Sequence, residues 1–143
     1  MSKMILVPID VADSKGGAVA LALAKEHAAA HGSKITLLTV RETVPGYVTA
    51  SLPAGFEDNI RSEIHARLEA IADEAGVKGS AQLMMRDGAP ATVILEVAQE
   101  IGAELIVIKS HDPGLSDYLL GSTAARVVRH AHCSVLVVRE PRG

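Results

Sequence analysis

Residues 103–140 read AELIVIKSHDPGLSDYLLGSTAARVVRHAHCSVLVVRE. Two short apolar runs, ELIVIKS (104–110) and SVLVVRE (134–140), flank a polar loop and a helical stretch over about 122–131. Neither run alternates polar with apolar residues. That is the pattern of strands covered on both faces, as in a parallel sheet. Parallel neighbours need a crossover between them, and the helix supplies it. The segment therefore reads as one strand–helix–strand unit.

The same logic extends towards the N-terminus. MILVPI (4–9) is a continuous apolar run that ends at Asp10. A helical stretch follows, with Ser14 as a candidate cap and Gly32 as its stop. KITLLTV (34–40) is a second strand. Residues 42–56 contain two prolines, two glycines and no helical period, and read as a long connection. A helix then opens near Glu57. Ile60, Ile64, Leu68, Ile71 and Ala75 share its apolar stripe, and Gly76 closes it. Glu57, Arg61, Glu63, Arg67 and Glu69 read as its solvated, ion-paired face. AQLMMRDG (81–88) is a weaker strand. Pro90 suits the first turn of the next helix, whose stripe is Ile94, Leu95, Ala98 and Ile101. Strands alternating with helices predict one α/β domain over residues 1–143. It is a doubly wound parallel sheet of five strands with helices on both faces.

Composition narrows the function. Fourteen basic and 17 acidic residues leave a formal charge of −3. Nucleic-acid binding draws most of its affinity from a basic face, so nucleic acid is not expected as a partner. No run is long enough for a membrane span, and the N-terminus lacks the pattern of a secretory signal. The only cysteine, Cys133, cannot form an internal disulfide. A cytoplasmic, reducing compartment is the expectation. His130 and His132 straddle a helix end, where capping or surface roles fit better than metal binding. No metal site is predicted. Tyr47 and Phe56 flank the long connection, and either fold over a ligand or partner or pack on the core.

In open parallel sheets ligands bind beyond the carboxyl ends of the strands, where the strand order reverses. The residues there are Pro8, Ile9 and Asp10 after the first strand, Val40 after the second, Asp87 and Gly88 after the third, and Ile108, Lys109 and His111 at the fourth. Gly121, Ser122 and Thr123 then open a helix. Gly121 can bring backbone close to a ligand or take a positive φ. Ser122 or Thr123 is a natural cap. The first amides of such a helix, with its dipole, favour an anion such as phosphate. Gly-Ser-Thr is equally the composition of a plain cap, and a carboxylate such as Asp10 often ends a strand for structural reasons alone.

These residues carry a resemblance. The stretches ILVPIDVADSKGGAVALALAKEHAAAHGSKITLLTV and AELIVIKSHDPGLSDYLLGSTAARVVRHAHCSVLVVRE resemble the universal stress protein family, small α/β proteins many of which bind ATP. ATP-binding members carry two glycines separated by two residues, then a spacer, then Gly followed by Ser or Thr. Gly121-Ser122 matches the last part. Lys109 and Asp112 stand where the earlier glycines would be, and the spacer is one residue short. The shortened loop, with Pro113, looks like one subgroup. Lysine at 109 either crowds the ribose or swings out to pair with phosphate.

The resemblance implies a strand order of 3-2-1-4-5 and an adenine nucleotide, ATP with or without Mg2+, as ligand. Asp10 would meet the adenine or its ribose, beside the Val40 backbone. Lys109 and His111 would lie near ribose and phosphates, and Gly121, Ser122 and Thr123 would hold the phosphates. It also implies a homodimer through the last strand, Ser134 to Arg139. Three functions follow: a stress-response regulator that binds ATP, a dimeric scaffold without nucleotide, or a weak ATPase or autophosphorylating protein. There is no P-loop and no histidine-glycine-histidine motif to support the last, and no catalytic residue is assigned.

Overall fold

The computed structural model describes residues 3–42, 46–110 and 120–139. His111, Asp112 and Pro113 lie outside these residues. Strands β1 (Met4–Pro8), β2 (Lys34–Arg41), β3 (Gln82–Asp87), β4 (Ala103–Lys109) and β5 (Ser134–Val138) form one sheet in the order β3-β2-β1-β4-β5. Every pairing is parallel. The expected doubly wound fold and strand order are therefore present.

Helices α1 (Ser14–His31) and α3 (Phe56–Glu74) pack on one face, and α4 (Pro90–Ile101) and α5 (Ser122–His130) on the other. Side chains alternate across each strand, so the central strands feed both cores. Ile5, Val7, Leu37 and Val107 go to the α1/α3 side. Leu6, Leu38, Ile106 and Ile108 go to the α4/α5 side. All eight are buried, which is why these strands read as unbroken apolar runs. The cores are aliphatic throughout, and small Ala20, Ala24, Ala91 and Ala98 let the helices sit close to the sheet.

Several boundaries differ from the sequence reading. Asp13, not Ser14, caps α1, its carboxylate accepting from the Gly16 amide at 3.1 Å. Both residue types cap helices, and the chain leaves extended geometry one residue earlier than expected. The long connection holds a four-residue helix, α2 (Gly46–Thr49). Tyr47 on it is 81% exposed, so it is not packed on the core. α3 begins at Phe56 and its cap at the far end is Ala75, with Gly76 beyond at φ 76°.

The position of Pro8 follows from the sheet. Ile9 donates its amide to the Leu38 carbonyl of β2 at 2.7 Å. Backbone groups alternate sides along a strand, so the Pro8 nitrogen faces β4. Paired positions between β1 and β4 end at Leu6↔Ile106. A proline, which has no amide to donate, is tolerated in this central strand because it falls where the two strands part.

Candidate functional site

Where β1 and β4 separate, the sheet switches from winding one way to winding the other. The opening leads into a cavity of about 360 Å³. Its walls include Pro8, Ile9 and Asp10 from β1 and its exit, Val40 from β2, Ile108 and Lys109 from β4, and Gly121 and Thr123 from the mouth of α5. Eight of the ten residues singled out from the sequence thus surround one space. Ser122 is exposed and does not line it. His111 lies outside the described residues.

The α5 mouth is built by backbone. Ser110 donates its amide to the Val138 carbonyl of β5 at 2.8 Å, and its own carbonyl accepts the Gly121 amide at 2.9 Å. The helix entrance is thereby fixed to the end of β4. Gly121 is the N-cap, in extended geometry at φ −61° and ψ 154°. The expectation that Ser122 or Thr123 caps the helix is corrected: these are its first two residues, and no described side chain caps it. A helix end without a side-chain cap presents free amides and the positive end of its dipole. Thr123 and Ala124 of that turn face the cavity.

On the opposite wall Asp10 lies just beyond the end of β1. Its Oδ1 accepts from the Ala12 amide at 2.9 Å, and its carbonyl accepts from the Asp13 amide at 2.9 Å. The turn brings in residues that the sequence reading passed over: Asp13, Gly16, Gly17 and Ala20 also line the cavity. A Cβ on Gly17 would lie 3.3 Å from Ile9 Cδ1, so glycine allows α1 this close to the end of β1. Pro90 and Ile94 of α4 and Glu42 after β2 complete the rim. The signal for them was available. Every strand-to-helix turn in such a fold points its helix N-terminus at the same edge, so the turn into α1 belongs to the site as much as the turn into α5.

Lys109 is engaged within the protein itself. Its Nζ is paired with Asp13 Oδ2 at 2.5 Å. The two side chains are 19% and 24% exposed, so the bridge is partly shielded from water. The hydrogen bond from Lys109 is the largest influence on Asp13 and, against the cost of burial, holds its carboxyl below the usual aspartate range.

A second charge cluster braces the rim. Arg41 forks onto Asp87 through Nε and Nη2, both at 3.1 Å, and reaches Glu57 at 2.7 Å. Arg61 also meets Asp87 at 3.1 Å. Glu57 and Arg61 therefore turn to the sheet edge, not along the α3 face as expected. Glu63 pairs with Arg67 on that face as anticipated, and Glu69 there meets His65 at 2.8 Å, a partner that was not anticipated. Hydrogen bonding from Arg41 keeps the Asp87 carboxyl below its ordinary range. Elsewhere, desolvation raises the Cys133 thiol, which makes it a poor nucleophile. No group of three or more metal-ligating side chains occurs among the described residues, and no described helix is long and apolar enough to cross a membrane.

The sequence model of the universal stress protein family matches residues 1–139. This chain belongs to the universal stress protein family. Universal stress protein G of Shigella flexneri is 34% identical over 146 residues, covering 97% of this chain and all of that protein. Universal stress protein YxiE of Bacillus subtilis is 36% identical over 154 residues, again covering 97% of this chain and all of the relative. Among solved structures, the hypothetical protein MJ0577 superposes with a TM-score of 0.81 at 25% identity, covering all of this chain and 99% of its own. A universal stress protein in complex with cAMP superposes with a TM-score of 0.66 at 29% identity, covering 95% of each chain.

The Asp87 cluster carries a pH dependence. A carboxyl whose pKa is lowered on folding stabilises the native state above its unfolded pKa, and that stability is lost as pH falls through the folded value. Urea unfolding midpoints are expected to drop from about pH 5 towards about pH 3. Asp87→Asn should show a shallower drop across that window. An identical slope in the variant would remove the cluster from the acid response.

Proposed function

We propose that this chain is a cytoplasmic stress-response regulator that binds an adenine nucleotide, ATP in the first instance, in the cavity at the carboxyl edge of β1 and β4. The observation that carries this is the meeting, around one space, of the β1 tip and the α5 mouth, which no described side chain caps. A volume of about 360 Å³ falls in the range of small-molecule sites. The cAMP complex of a 29% identical relative supports an adenine ligand.

In this reading Pro8, Ile9 and Ile108 give the base an apolar floor. Asp10 accepts hydrogen bonds from the adenine amino group or the ribose, beside the Val40 backbone. The Ser122 and Thr123 amides and the Thr123 hydroxyl hold phosphate, Gly121 leaves room for its approach while its own amide stays on the Ser110 carbonyl, and Lys109 and His111 add positive charge. A Mg2+ ion would be held mainly by phosphate oxygens and water, as is usual for this ion, because the described residues offer no three-ligand site. Binding then alters the protein's associations, and turnover is no part of the role.

Homodimerisation through Ser134 to Arg139 belongs to the same proposal. β5 is an edge strand paired on one side to β4, and Leu136 on it is 39% exposed. An apolar edge of this kind invites an identical partner across a two-fold axis. Sedimentation should give twice the 14.9 kDa chain mass, and Leu136→Glu should shift the equilibrium to monomer. A monomeric native protein at micromolar concentration would exclude the interface.

The scaffold reading competes because the Lys109–Asp13 bridge already occupies one side of the cavity. Titration of ATP with magnesium, together with chromatography of the supernatant from denatured fresh protein, separates the two. The regulator reading expects saturable binding. It also expects Gly121→Val to weaken binding at least about tenfold without unfolding, since φ −61° and ψ 154° suit valine. Absence of co-purified nucleotide and of affinity at millimolar ATP supports the scaffold.

A further inference from the structure

We infer that Asp13 sets this cavity's preference between phosphorylated and unphosphorylated adenine ligands, because its carboxylate holds the ammonium of Lys109 that a ligand phosphate would otherwise take. The inference rests on the nucleotide-binding reading and concerns how the site discriminates among such ligands.

Charge around the cavity supports it. Among the described residues lining it, the acids are Asp10, Asp13 and Glu42, and Lys109 is the one cationic side chain. That cation is already committed to Asp13. A phosphate at the α5 mouth therefore enters a space in which three carboxylates share one ammonium. The amides of α5 favour it, and the uncompensated acids oppose it. Adenosine, which has no charge, meets neither effect.

Geometry makes Asp13 the fixed partner and Lys109 the movable one. Asp13 Oδ1 is anchored on the Gly16 amide at 3.1 Å, as the N-cap of α1. Its carboxylate stays in place when the lysine leaves. Lys109 reaches it on a flexible four-carbon stem from the end of β4, and its ammonium can turn to another oxygen. Phosphate and Asp13 thus compete for the same donor, and entry of a phosphate exchanges one anion for another.

Asparagine at 13 isolates the charge. It has the shape of aspartate and still caps a helix, so the Gly16 bond is preserved while the hold on Lys109 weakens. Calorimetric titration of adenosine and of ATP, both with magnesium, should be run on the native protein, Asp13→Asn and Lys109→Met. The readout is the ratio of the ATP to the adenosine association constant. Both ligands share the adenine and ribose, so general damage to the site cancels in that ratio. It should rise about tenfold in Asp13→Asn, within the usual range of site coupling, and fall below the native value in Lys109→Met.

A ratio that is unchanged or lower in Asp13→Asn overturns the inference, since Asp13 would then be inert or would position Lys109 for phosphate. Should Asp13→Asn not fold, an unchanged ratio in Lys109→Met overturns it equally. Adenosine binding with an unmoved ratio defeats this inference alone. Failure of both ligands to bind any of the three proteins defeats the nucleotide reading, and this inference with it.

Discussion

The divergence of β1 and β4 is the constraint on which the rest of the molecule depends. Their paired positions end at Leu6↔Ile106, while β1 remains bonded to β2 through Ile9. The crossovers leave this point in opposite directions, α1 to one face and α4 and α5 to the other. Nothing in the sheet can fill the resulting opening. The chain lines it with a strand tip and helix turn after β1 on one side, and with the end of β4 and the mouth of α5 on the other. The Ser110 to Gly121 bond makes the second wall as firm as the first, because it ties α5 to the sheet directly.

Charge is arranged differently at the rim and at the mouth. At the rim, Arg41 and Arg61 converge on Asp87, and Arg41 on Glu57, so opposite charges are matched and join β2, β3 and α3. Exposed pairs of this sort contribute little each, and a bidentate cluster contributes orientation more than energy. At the mouth, one bridge spans the opening and two other acids face it without a described cation of their own. The first arrangement suits a permanent brace. The second suits a contact that a ligand can exchange.

The fold was legible because the inner strands β1, β2 and β4 are buried on both faces and their residues need not alternate. Helix boundaries were legible to within a residue or two where glycine or proline marks them, as at Gly32, Pro90 and Gly102. The strand order came from the family resemblance, since the residues alone permit more than one order. The site was legible where residues directly follow a strand. It was not legible where partners meet only in space. Asp13 and Lys109 are 96 positions apart, and no local pattern announces their bridge. Glu57 and Arg61 fit a helix-surface rule, yet nearby Arg41 and Asp87 offer better partners than solvent does. Tertiary contact overrode local spacing in both cases.

The central claim is that the β1 tip and the α5 mouth form one ligand site. Amide chemical shifts followed by NMR during titration with ATP and magnesium test it most directly. The account predicts saturable shifts together at Ile9, Asp10, Val40 and Gly121 to Ala124, all following one binding curve. Shifts confined to one wall, or centred on the β5 edge with these amides unmoved, would contradict it.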